Sequence, residues 1–93
     1  MVKATWNGVV IAESDDTVVV EGNHYFPPDT LNSGVILAST TTSVCPWKGT
    51  AHYISIIVDG EKTTDVGWFC ADPKPAAAQI KDRIAFWRGV VVG

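Results

Sequence analysis

No apolar stretch of this chain runs long enough, or with the right period, for an extended helix. Val, Ile, Thr and aromatic residues recur in short runs punctuated by Gly, Asn, Asp-Asp and Pro, at spacings suited to antiparallel strands. The pattern predicts strands near Val2–Trp6, Val9–Ser14, Thr17–Glu21, Ile36–Ser39, Thr50–Val58, Thr63–Ala71 and Ile84–Val92. Asn7-Gly8 is a dipeptide that closes a two-residue hairpin, and Asp15-Asp16 is a weaker turn signal. Tyr25-Phe26-Pro27-Pro28 cannot lie in a central strand, because proline lacks a ladder donor. It reads as an irregular crossover, with Asp29 capping a short helical turn through Leu31. Asp72-Pro73-Lys74-Pro75 stops a strand, and the good helix formers of Ala76–Asp82 predict one short helix near 75–82. The expected fold is mainly β: a single small domain of cupped antiparallel sheets, barrel- or sandwich-like.

Composition narrows the function classes. With 93 residues, 46% hydrophobic and 18% charged, the chain can bury one core but not two. Its seven Lys and Arg are scattered singly and the net charge is −3, so the basic stripe of a nucleic-acid binder is missing. The opening Met1–Trp6 is too polar for a signal peptide and no segment has the length to span a bilayer, so a soluble, cytoplasmic protein is expected. Cys45 and Cys70 are then expected as reduced thiols.

Chemistry-bearing side chains concentrate in Cys45-Pro46-Trp47-Lys48-Gly49-Thr50-Ala51-His52-Tyr53: a thiol, an ammonium, an indole, an imidazole and a phenol around one turn. Lys48 placed near Cys45 across the proline turn would favour the thiolate, whose pKa is about 8.5 when unperturbed. Lys48 would equally anchor a carboxylate or phosphate, with Trp47 or Trp68 stacking on a ring. The plainer reading makes Cys45 a small buried residue and points Lys48 to water. If Asp59-Gly60 is a two-residue loop, Val58 faces Glu61, His52 faces Gly67, Ala51 faces Trp68, Asp65 becomes a diagonal neighbour of His52, and Val66 shares a face with Tyr53 and Trp68; a four-residue loop keeps these faces and a three-residue loop inverts one strand. On that register Cys45 and Lys48 form a candidate catalytic group with His52 as proton shuttle and Asp65 as its orienter. Trp6, Trp68 and Trp87 read as core area. His24 and His52 with Cys45 and Cys70 make a nominal zinc set, but their spacing lacks the pairing of structural zinc sites, so no metal or cofactor is expected.

Four segments carry a resemblance: Tyr25-Phe26-Pro27; Cys45 through Tyr53; Gly67-Trp68-Phe69 with Pro73; and Ile84-Ala85-Phe86-Trp87. Their order and spacing resemble the domain of unknown function 427 family over nearly the whole chain. The resemblance implies a small, mostly β domain with a cupped sheet. It implies a pocket at Tyr25, Cys45, Lys48, Tyr53 and Trp68, and a nucleotidyltransferase-like label with no established reaction. Cys70 departs from the acidic residue common there. Metal-dependent nucleotidyl transfer needs carboxylates converging on Mg²⁺ and a phosphate cradle. Asp15 and Asp16 are adjacent, and no Gly-rich loop precedes a helix. The expectation is therefore a binding domain for a small anionic, nucleotide-like ligand at Tyr25, Trp47, Lys48, Tyr53 and Trp68. The alternative is an interaction or self-association module using an apolar sheet face or the Val90–Val92 edge.

Overall fold

The computed structural model describes residues 1–46 and 48–93, so Trp47 lies outside the described residues. The strands are β1 (Val2–Trp6), β2 (Val9–Ser14), β3 (Val18–Val20), β4 (Asn23–Tyr25), β5 (Ile36–Cys45), β6 (Gly49–Val58), β7 (Glu61–Phe69), β8 (Ala85–Phe86) and β9 (Val91–Val92). They form three antiparallel sheets, ordered β2-β1-β9, β3-β4 and β5-β6-β7-β8. The four-stranded sheet is the middle layer. On one face Ile54, Ile56, Val58, Val66 and Phe86 pack with Ala4, Ile11 and Ala12 of the β1–β2 sheet. On the other, Ala51, Cys70 and Ala85 pack with Tyr25 of the β3–β4 hairpin and with Ala77 and Ile80. Each fully buried large aliphatic or Phe side chain contributes about 1.5–3 kcal/mol, so both layers are needed to hold so short a chain. The mainly β expectation holds, but buried residues gather in two clusters, one on each face of the central sheet, rather than in the one core expected; among the described residues no sheet closes into a barrel. No helix among them is long and apolar enough to cross a membrane.

Several expected boundaries move. The run expected over Thr17–Glu21 turns back at Glu21-Gly22, both at positive φ, and returns as β4. Phe26 then bridges Ile84 rather than wandering as a loop. The turn after it is a 3₁₀ turn at Pro28–Thr30 whose N-cap is Pro27 with no side-chain cap, so Asp29 lies inside it and does not cap it. The expected helix near 75–82 is 3₁₀ as well, Pro75–Ile80, broken by a non-helical Ala77. The element is held to six residues, Pro75–Ile80, before Lys81 bridges Cys70, which is less than two α-helical turns. The last expected strand divides into β8 and β9 at the left-handed pair Arg88-Gly89.

The largest correction concerns register. Val58 does face Glu61 and Ile57 faces Lys62, but beyond Ile56↔Thr63 the pairing jumps to Ile54↔Gly67, Tyr53↔Trp68 and His52↔Phe69. Three residues, Thr64–Val66, thus oppose the single residue Ser55. A matching bulge sets Ser39–Thr41 of β5 against Tyr53 of β6. Asp65, at φ 55°, ties the two bulges together. Its N–H donates to the buried Ser55 Oγ at 3.0 Å, and its carboxylate accepts from Ser39 Oγ at 2.6 Å. Its carbonyl accepts from Trp87 Nε1 at 2.7 Å. Val66 is swung into the main core, against the alternation expected of it. Asp65 is therefore not the orienter of His52, whose ring stacks on Phe69 at 5.6 Å.

The hydrogen bond from Ser39, then that from Thr41, with smaller help from Arg88 and Lys62, holds the Asp65 carboxyl below its ordinary 3.8. A depressed folded-state pKa adds stability that is full above the unfolded value and is lost as pH falls through the folded one. Asp65→Asn is expected to flatten the decline in urea-unfolding stability below pH 3.8, where the wild-type curve falls. Parallel curves for the two proteins would show that this carboxylate is not held as described.

Candidate functional site

The turn after β5 is fixed from below. Gly49 has φ 97°, and a Cβ there would lie 3.3 Å from the Asp72 carbonyl oxygen and 3.6 Å from the Lys74 nitrogen. Lys74 N–H donates to the Lys48 carbonyl at 3.1 Å and its Nζ to the Pro46 carbonyl at 2.6 Å. The Asp72–Lys74 segment thereby clamps the turn and aims Lys48 inward. The Lys48 side chain is only 14% exposed, and its Nζ lies 2.8 Å from Glu21 Oε1. It also donates to the Tyr25 hydroxyl at 3.4 Å, which accepts Trp68 Nε1–H at 3.1 Å as well. Burial, the largest influence, pulls the Lys48 pKa down. The hydrogen bonds and charges of Glu21 and Tyr25 together outweigh it and leave the pKa above 10.5. Lys48 is thus a charged, oriented cation at neutral pH.

Beside it is a cavity of about 150 Å³ lined by Lys48, Ser43, Cys45, Ala51 and Tyr53, with Trp68, Cys70 and Trp87 opposite. Among the described residues three rings wall it: Trp68 and Trp87 meet edge-on with centroids 5.4 Å apart, and Tyr53 lies tilted 6.1 Å from Trp87. The Tyr53 and Ser43 hydroxyls share a hydrogen bond of 3.0 Å at the rim. Arg88 places its guanidinium carbon 4.5 Å from the Trp87 ring centroid, adding a second cation to the neighbourhood. Tyr25, wholly buried, is the support beneath Lys48 and Trp68 rather than a wall.

Strand alternation sorts the expected site residues. Cys45, Lys48, Tyr53 and Trp68 converge on this cavity. Trp47 falls outside the described residues. His52 is carried to the opposite face with Phe69, away from Cys45, so the expected thiol–imidazole relay is not assembled. Asp65 is not a lining residue and reaches the site through its carbonyl, which positions Trp87, and through its charge on Arg88. His24 Nδ1 is hydrogen-bonded to Thr17 Oγ1 at 2.9 Å, and among the described residues no three His, Cys, Asp or Glu side chains gather as a ligand set. Asp15 pairs with the N-terminal ammonium at 3.2 Å and Asp16 with Arg83 at 3.4 Å, so neither joins the other at a common centre.

Two contributors escaped the sequence reading. Glu21 carried a usable signal, since Glu21-Gly22 is an X-Gly turn dipeptide like Asn7-Gly8, though its pairing with Lys48 is a tertiary fact. Trp87, expected in the core, is 39% exposed and lines the cavity, because Ala85 and Phe86 before it already cover the two faces of β8.

Set against known protein families, residues 1–92 match the model described as a domain of unknown function, DUF427. The chain belongs to the DUF427 family. No curated protein matches the sequence. The DUF427 match spans every element that builds the cavity, from Tyr25 to Trp87.

The two thiols differ sharply. Cys70 is buried at 1% exposure, and burial pushes its pKa up against the lowering charge of Lys48, with Cys45 adding to the rise. Cys45 is half-buried at the rim. Cys45 ends β5 and Cys70 follows β7, with β6 between, a lateral separation of about 10 Å at the usual strand spacing. That exceeds the roughly 7 Å reach of a disulfide. Alkylation followed by mass spectrometry is expected to modify Cys45 first, and Cys70 only on unfolding; equal rates in the native protein would contradict this burial.

Proposed function

We propose that this DUF427 domain binds a small planar anion, a single ring bearing one acidic group, in the cavity beside Lys48. The observation that carries the reading is a mostly buried ammonium aimed into a space walled by Tyr53, Trp68 and Trp87. Stacking on such rings and a charge-assisted bond to a desolvated cation are the two interactions that select an aromatic acid. The volume of about 150 Å³ is below the range of roughly 300–1,000 Å³ usual for drug-sized ligands, so it suits a nucleobase-sized fragment better than a whole nucleotide. Glu21 lies 2.8 Å from the Lys48 ammonium, so an incoming acid competes with it. Cys45, at the rim, is the group that would meet an electrophilic ligand. Binding rather than turnover is assigned, because His52 lies across the sheet from that thiol.

Titration with benzoate and benzamide, followed by the indole N–H signals of Trp68 and Trp87, tests the reading. Benzoate is expected to move both signals with weak, saturable affinity. Lys48→Met is expected to remove the response, and Glu21→Gln to strengthen it several-fold by freeing a charge-assisted bond worth about 1.5–3 kcal/mol before competition. Equal responses to benzoate and benzamide, or none, would sink the assignment.

One observation favours self-association as a second reading. β5 is a sheet edge, its segment Thr40–Val44 is exposed with Val44 at 77%, and no charged residue interrupts 32–46. Long uncharged edges recruit further strands. Sedimentation of wild type and Val44→Lys over a concentration series distinguishes this from a monomeric binding domain.

A further inference from the structure

The opposite face of the β6–β7 ribbon carries a larger cavity, of about 410 Å³. It lies on the same face as His52 and Phe69, so it is separated by the sheet from the space beside Lys48 and rests on none of those residues. Its walls include Leu31, Ile36, Ile54, Phe69 and Ile84, and among the described residues the charged side chain lining it is Asp82.

The backbone at Asp82 is unusual. Among the non-glycine residues at positive φ, Asn7, Glu21, Asp59 and Arg88 each precede a positive-φ glycine in an X-Gly turn, and Asp65 is held in its bulge. Asp82 stands at φ 59° with no following glycine, fixed by its N–H donating to the Cys70 carbonyl at 3.0 Å. The neighbouring cation that could neutralise it, Arg83, is turned away: it donates to the Asp16 carbonyl at 2.6 Å and reaches the Asp16 carboxylate at 3.4 Å. Lys81 on the other side is exposed. Asp82 thus brings a negative charge to the lining of an otherwise apolar hollow, on a left-handed backbone that Asp adopts readily.

We infer that this hollow is a second binding site, taking a small apolar molecule that carries an ammonium group, with the hydrocarbon against Ile54, Phe69 and Ile84 and the cation at Asp82. The volume lies in the range usual for small-molecule sites. Apolar contact supplies the affinity and Asp82 the choice of charge. Asp82 is exposed, so the charge preference is modest.

The test uses 2-phenylethylamine, its neutral counterpart 2-phenylethanol and the acid 3-phenylpropanoate, at low ionic strength where exposed charges are least screened. Methyl signals of Ile36, Ile54 and Ile84 report on this hollow, and the indole signals of Trp68 and Trp87 report on the other cavity. The amine is expected to shift the isoleucine methyls and to bind about two- to five-fold more tightly than the alcohol, the range of an exposed ion pair. The acid is expected to bind more weakly than either. Asp82→Asn is expected to erase the amine's advantage, so that amine and alcohol bind alike in the variant. Asn tolerates the left-handed conformation as Asp does, so the fold is preserved in the variant. Equal affinity for amine and alcohol, an advantage that survives Asp82→Asn, shifts confined to the indoles, or no shift at all would each overturn the inference. Failure of benzoate to bind beside Lys48 would leave this result untouched, since the reporters differ.

Discussion

Gly49→Ala is expected to lower stability by about 2–4 kcal/mol, combining left-handed strain with the overpacking of a methyl group onto backbone. The reason is local and double. At φ 97° an L side chain is strained, and the added Cβ meets the Asp72 carbonyl oxygen at 3.3 Å, an atom that cannot swing aside as a side-chain tip could. Gly60→Ala supplies the comparison, because Gly60 has φ 78° with nothing within 4 Å of its Cβ. Only the strain part, roughly 1–2 kcal/mol, is expected there. Urea unfolding of the two variants checks the difference. Were Gly49→Ala no worse than Gly60→Ala, the clamp of Asp72–Lys74 on the turn would be absent in solution. Damage to the clamp should also displace Lys48, so the variant is expected to lose the benzoate response even under conditions where it remains folded.

Tyr25→Phe is the second large effect, expected at about 1–3 kcal/mol, the penalty of leaving part-buried donors without their acceptor. One phenolic oxygen accepts both Trp68 Nε1–H at 3.1 Å and Lys48 Nζ–H at 3.4 Å in a wholly buried position. Removing it orphans the indole, while Lys48 keeps Glu21. A double-mutant cycle with Lys48→Met separates the two bonds. The double variant is expected to lose less than the sum of the singles, because the ammonium no longer needs the acceptor that Phe lacks. Strict additivity would mean that Tyr25 and Lys48 do not interact.

The contrast between what could and could not be read in advance has a physical pattern. Strands β1 and β2 were legible to the residue because Asn7-Gly8 permits one hairpin geometry and the flanking Val and Ile residues do the rest. The same rule at Asp59-Gly60 set the first pairs of β6 and β7 correctly. It failed further along because both bulges depend on partners distant in sequence. Asp65 is stabilised by Ser39, Ser55 and Trp87, and no local propensity announces that a strand will admit extra residues to satisfy a carboxylate. Cys45, Lys48, Tyr53 and Trp68 line one cavity, since shifting a strand by an even number preserves its faces. The His52–Asp65 pairing did not, because Asp65 sits inside the bulge itself. Glu21 and Trp87 illustrate the remaining gap: a hairpin tip and a strand end are locally readable, but which distant cation or ring they meet is decided by packing.

The bulges of the central sheet also restrict how this chain can change length. In β2 a single extra residue, Ile11, is set between Ala4↔Ala12 and Thr5↔Val10, and burial switches there: Val10 is exposed, whereas Ile11 and Ala12 are both buried. A bulge of one exchanges the two sides of a strand, and β2 tolerates that at the place where its solvent side changes. The β5 and β7 bulges each add two residues and keep every side chain beyond them on its original side. Loss or gain of one residue in 64–66 would carry Trp68 and Cys70 to the side of Ile54, and Phe69 to the side of Tyr53, emptying both cavities of their walls together. Viable length variants of this segment should therefore differ by two, an arithmetic rule that a library of one- and two-residue deletions, sorted for folded protein, can read out directly.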